Sequence, residues 1–132
     1  MWQLINRDRT SASLEETKGR AHPLEWDPRL AAVARAHSQE MASNGYFGHQ
    51  GVDGSLPDAR ISRVGIQWRA SAENIAKYPD VIQAEAAFMN EPRFQRNHRG
   101  NILNPNYTHV GVGVVKGPDG MFYITQEFAQ LR

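Results

Sequence analysis

A chain of 132 residues with a formal net charge of +1 is long enough for one hydrophobic core, and its overall field gives no reason to expect nucleic acid or an anionic membrane as partner. Hydrophobic residues at 40% and charged residues at 22% describe a globular protein rather than a disordered or coiled-coil one. The absence of cysteine excludes thiolate nucleophiles and cysteine-held zinc, and within the chain no apolar run approaches a transmembrane helix or the core of a signal peptide. Any chemistry falls to histidine, carboxylates, hydroxyls or lysine, within one domain expected over residues 1–132.

Trp2, Leu4 and Ile5 predict a short helix over Met1–Arg9, followed by a polar surface loop from Thr10 to Arg20. The next helix is marked at both ends, by Asp27 as N-cap with Pro28 at the first helical position and by Asn44 and Gly45 as the stop. Leu30, Val33, Ala34, His37 and Met41 fall on one stripe of it, which places His37 in the core. From Gly45 to Gly65 the density of Gly, Asp, Ser and Pro indicates a loop with a short helix over Pro57–Val64. Such loops on a rigid scaffold are where functional side chains gather. The run IQWRASAENIA begins in strand-like alternation and ends in small residues, a pattern compatible with more than one state.

Asp80 and Gln83 have the spacing of a capping box for a helix reaching about Asn90, with Ile82, Ala86 and Met89 as its apolar stripe and Pro92 as its end. From His109 the period changes to two: Val110, Val112 and Val114 share one strand face, and Gly111, Gly113 and Val115 the other. GPDG, Gly117–Gly120, predicts a turn, and MFYITQEF the returning strand. With Gly117 opposite Gly120, Val110 faces Glu127 and His109 faces Phe128. Helices followed by a hairpin predict an α+β domain with helices packed on an antiparallel sheet.

The segments HSQEMASNGYFGH, AENIA and HRGNILNPNYTHVGVGVV, followed by YITQEF, resemble in kind and order the motifs of the CAP superfamily (cysteine-rich secretory proteins, antigen 5 and pathogenesis-related 1 proteins), above all its bacterial SCP-like branch. The similarity extends from about Leu4 to Phe128. It implies a three-layer α-β-α sandwich with a central, mainly antiparallel sheet and an open cleft lined by two histidines and two glutamates, which in several members hold a divalent metal, often zinc. Carried over by motif, the tetrad is His49 in GYFGHQG, Glu73 in AEN, Glu91 in FMNEP and His98 ahead of the GVG strand, with His49 and His98 as metal ligands. Eukaryotic members carry disulfides, which this chain lacks. Most members are exported, which implies an extracellular or cell-envelope location.

Neutral imidazoles with flanking carboxylates suit a borderline ion such as zinc, with water completing its shell. The same groups can instead pair internally, each glutamate fixing a histidine tautomer. For Glu91 a solvated helix end before Pro92 competes with the site role, and for His98 a structural role capping local backbone groups. His109 reads as a partly exposed strand-end residue outside the cleft, Glu127 as a sheet-end residue, His22 as loop and His37 as a satisfied core histidine. Arg93, Arg96 and Arg99 read as solvated, with a basic patch for anionic head groups or polysaccharide as the alternative.

Three functions compete. The first is an exported binding module for a small-molecule, lipid or polysaccharide ligand, with a divalent metal. The second is a metal- or carboxylate-dependent hydrolase of cell-wall glycan or peptide, and the third an adhesive or structural domain.

Overall fold

The computed structural model describes residues 1–12 and 21–132. In chain order the elements are α1 (Trp2–Ser11), β1 (Glu25–Trp26), α2 (Pro28–Asn44), α3 (Pro57–Arg63), β2 (Trp68–Tyr78), α4 (Val81–Met89), α5 (His98–Leu103), β3 (His109–Lys116) and β4 (Phe122–Leu131). Of the loop expected over Thr10–Arg20, Thr10 and Ser11 belong to α1, and residues 13–20 lie outside the described residues.

The strands form one four-stranded sheet in the order β1-β3-β4-β2. Both long pairings are antiparallel, but β1 runs parallel to β3, so the sheet is mixed. Two residues are too few to show a strand period in sequence, so no pattern announces β1.

Alternation along the strands sends side chains into two helical layers, giving the α-β-α sandwich. Leu30 and Val33 of α2 pack with Ile61 of α3 and Ala129 of β4 on one side. Ile5 of α1, Ala84 and Phe88 of α4 and Ile102 of α5 pack with Val110, Ile124 and Phe128 on the other. The α2 boundaries match the sequence signals: the Asp27 carboxylate accepts hydrogen bonds from the amides of Arg29 and Leu30, and Gly45 closes the helix at φ +65°. Gly111 and Gly113 let α2 lie directly on β3. An added Cβ would come within 2.0 Å of the Ala31 nitrogen and 2.3 Å of the Arg35 nitrogen, respectively.

Two expectations fail in an instructive way. The β3–β4 connection spans residues 117–121, with the Gly117 amide donating to the Met121 carbonyl at 2.8 Å, so the register shifts by one. Val110 therefore faces Phe128, His109 faces Ala129, and Glu127 faces Gly111. A one-residue slip exchanges the faces of a whole strand. It turns Glu127 from the expected sheet-end residue facing Val110 into a wholly buried one on the face that Gly111 presents to α2. In α4 the buried positions are Ala84, Glu85 and Phe88, whereas Ile82 and Ala86 are exposed. A charged residue conceals this stripe, because Glu85 occupies a core position while accepting a hydrogen bond from Gln126 at 3.1 Å.

Arg9 is also buried. Its guanidinium donates to the carbonyls of His22, Ile102, Asn104 and Tyr107, tying α1 to the approach to β1 and to the end of α5. Burial pushes its pKa down to about 10, so it stays charged at neutral pH. Arg9→Met should destabilise the fold by about 3 kcal/mol or more, measured by urea unfolding, because it leaves these carbonyls unpaired; lysine, with fewer and differently placed donors, should recover only part.

Candidate functional site

The site is built along β2, the outermost strand at one edge of the sheet. Within the AEN motif, Glu73 and Asn74 are adjacent and so point to opposite faces. On the α2 face, Glu73 Oε1 accepts a hydrogen bond from His49 Nδ1 at 2.8 Å, and Oε2 accepts from Arg60 of α3 at 2.9 Å. Arg60 also donates to the carbonyls of His49 and Ser55, fixing the loop that carries His49. On the opposite face, Asn74 donates to the His98 carbonyl at 3.2 Å and to Gln126 at 3.0 Å, and accepts from Asn101 at 2.8 Å. One dipeptide thus anchors both histidine-bearing segments.

His98 begins α5, which Asn97 caps by accepting the Gly100 amide hydrogen bond at 2.8 Å. The capping role weighed for His98 therefore belongs to its neighbour. His98 Nδ1 bonds Glu91 at 2.7 Å, the second Glu91 oxygen accepts the Arg99 amide, and the imidazole stacks on Phe88 with centroids 4.6 Å apart. Glu91 is thus not a free helix-end carboxylate.

The four residues expected to share a cleft form two pairs bordering two hollows along β2. His49 and Glu73, with Leu56, Pro57 and Trp68, border one of about 520 Å³. Glu91 and His98, with Phe47, Phe88 and Lys77, border one of about 340 Å³. Among the described residues no group of three or more His, Asp or Glu is arranged to hold a metal.

Electrostatics differ sharply beneath the first pair. Glu73 has a side chain 1% exposed; burial alone would raise its pKa, but the hydrogen bond from His49, the adjoining Glu127 carboxyl and the charges of His37 and Arg60 outweigh it, and the net direction is down. Glu127, opposite Glu73 on β4, makes no well-formed hydrogen bond to any described group, and burial together with the Glu73 charge pushes its pKa far up. The two carboxyls therefore carry one negative charge between them, balanced by Arg60. His37 lies in the core as expected, with Nε2 2.8 Å from the Gly48 carbonyl and 3.8 Å from Glu73. It is not fully satisfied, since Nδ1 has no partner among the described residues, and burial lowers its pKa against the pull of Glu73.

Arg60 and Glu127 carry no sequence signal of their own; the β3–β4 register sets the face of Glu127, and the β2–β4 register sets it opposite Glu73. His109 behaves as anticipated, partly exposed at the strand end and 3.1 Å from Glu25, away from these hollows.

The ring geometry has a chemical consequence. Glu73 is ionised and accepts only, so His49 donates to it through Nδ1, and His98 Nδ1 stands in the same relation to Glu91. Each ring then turns Nε2 away from its glutamate, on side chains 50% and 35% exposed.

An α-β-α sandwich with paired histidines and glutamates along its outer strand describes a recognisable class. The chain belongs to the cysteine-rich secretory protein (CAP) family, whose model matches residues 2–128. It is 40% identical over 115 residues to the uncharacterised protein YkwD of Bacillus subtilis, covering 86% of this chain and 40% of that protein. It is 39% identical over 107 residues to the uncharacterised membrane protein YlbC of the same organism, covering 80% and 28%. The chain therefore spans less than half the length of these relatives. Among solved structures, an outer surface protein of Borrelia burgdorferi shares the fold with a TM-score of 0.82 at 20% identity, over 99% of this chain and 90% of that one. An extracellular SCP-domain protein of Bacillus anthracis matches with a TM-score of 0.76 at 28% identity, over 98% of this chain and 40% of that one. Among the described residues no helix is long and apolar enough to cross a membrane.

Proposed function

We propose that this chain is the ligand-binding domain of an exported bacterial protein, with a cleft along β2 in which His49 and His98 offer their Nε2 atoms to a divalent cation, zinc before others. One observation carries the reading. Exposed His49 and half-buried His98 are each held at Nδ1 by a glutamate, the arrangement by which proteins orient imidazole ligands and raise their basicity. Because the two nitrogens stand at separate hollows, an ion drawn to them would be weakly held and exchangeable, with most of a tetrahedral shell left to water or ligand. When bound, such an ion would supply a positive charge that polarises a carbonyl or other oxygen of the occupant. The carboxylate-pair hydrolase reading has less support, since both Glu73 oxygens are engaged and shielded from any substrate.

Titration calorimetry with zinc should show binding by the wild type and none by a His49→Ala/His98→Ala double variant. Glu91→Gln, which leaves the His98 ring less firmly oriented, should weaken binding by about tenfold to a hundredfold. Equal zinc binding by wild type and double variant would overturn the metal part of the proposal.

A further inference from the structure

The cleft floor is itself an unfinished sheet edge. β2 pairs with β4 on one side only, and among the described residues no hydrogen bond other than that ladder reaches the main chain of residues 69–78. Alternate residues of such a strand turn both N–H and C=O outward. Residues 70–73 line one hollow and 75–78 the other, so this outward edge runs the length of the site.

Folded proteins ordinarily blunt an edge of this length with charge, proline or a bulge. Here the bulge lies at Trp68/Ala70 and the blocking charge at Lys77, which is tied to Asp119 at 2.9 Å. Between them Ala70, Ser71, Ala72 and Ala76 keep the edge low, and Glu73 is drawn beneath it by His49 and Arg60. Apolar walls stand beside the unguarded stretch: exposed Leu56 with Trp68 at one hollow, and exposed Phe47 with Phe88 at the other.

We propose that the occupant of this cleft is an extended polypeptide segment that adds to β2 as a fifth strand, its main chain completing the edge ladder and its apolar side chains entering the two hollows. The inference rests on the cleft reading above and not on the metal. The occupant's chemistry follows from what is unmet. A row of alternating donors and acceptors along an extended backbone is complemented by another extended backbone, whereas a sugar chain or an acyl chain lacks that pattern.

The test uses dodecapeptides selected on this chain from a displayed random library, each then synthesised unmodified and with N-methyl groups on the odd or on the even residues. An added strand donates only through the amides that face its neighbour. One methylated form should therefore bind about as well as the parent, and the other should lose about thirtyfold or more. Hydrogen exchange should slow at alternate amides within residues 70–78 when the parent peptide binds. Failure to select any peptide, equal tolerance of both methylation patterns, or protection confined to other segments would overturn the proposal. So would binding of an N-acetylated oligosaccharide in the cleft without edge protection. Zinc titration of the same samples separates the two readings: zinc binding without peptide binding overturns this inference alone, and peptide binding without zinc binding overturns the metal reading alone.

Discussion

Gly111→Ala is expected to lower stability by about 3 kcal/mol or more, or to prevent folding, although it adds a single methyl group. The new Cβ would sit 2.0 Å from the Ala31 nitrogen and 2.3 Å from the Leu30 carbonyl carbon. These are backbone atoms of α2, so no rotamer change relieves the clash, and the helix must lift from the sheet. That movement would open the packing of Leu30 and Val33 against Ala129 and displace His37 from above Glu73. Gly113→Ala should act the same way through the Arg35 backbone. Gly120→Ala is the control: at φ +81° with open space around it, it should cost only about 1 kcal/mol. Urea midpoints at pH 7 check the series, and a Gly111→Ala protein within about 1 kcal/mol of wild type would show that α2 does not rest on β3 as described.

Glu85→Gln should make the protein more stable above neutral pH. Burial, and then the neighbouring Asp8 carboxyl, push the Glu85 pKa up to about 8, while in the unfolded chain it lies near its ordinary 4.5. The folded chain therefore binds the extra proton between these values, and the associated stability is lost as pH rises towards 8. Glu127 shifts in the same direction and adds to the slope. His37 opposes it below its ordinary 6.5, because its lowered pKa makes folding release a proton there. The informative window is thus pH 6.5 to 8, where the wild type should lose about 2 kcal/mol through Glu85. Glutamine keeps the acceptor for Gln126 and carries no charge, so the variant should lose only the Glu127 share. Unfolding free energies across that window, with parallel slopes for the two proteins, would contradict the burial of an ionisable Glu85.

The residues that could be read from the sequence were those whose local chemistry agrees with their tertiary role. Asp27, Pro28 and Gly45 delimit α2 through backbone rules that operate within one helical turn, and the valines and glycines of β3 sort onto faces by strand period alone. What escaped depends on contacts between distant segments. The register of β4 hinges on how a few loop residues close, and the slip by one residue hid Glu127 on the wrong face. Glu85 and Arg9 are charged residues at core positions, legible only once Gln126 and the carbonyls of His22, Ile102, Asn104 and Tyr107 are in place. The family motifs brought His49, Glu73, Glu91 and His98 to one strand, but the pairing itself, with Asn74 holding one histidine segment while Glu73 holds the other, comes from the alternation of a single edge strand.

The tautomers of His49 and His98 test the cleft most directly. Long-range proton–nitrogen correlation spectra of the nitrogen-labelled protein, taken where the rings are neutral, should show both rings protonated at Nδ1 with Nε2 bare, and zinc should move the Nε2 resonances selectively. Rings protonated at Nε2, unchanged when zinc is added, would mean that the glutamates do not aim these histidines outward and that the cleft is not a cation site.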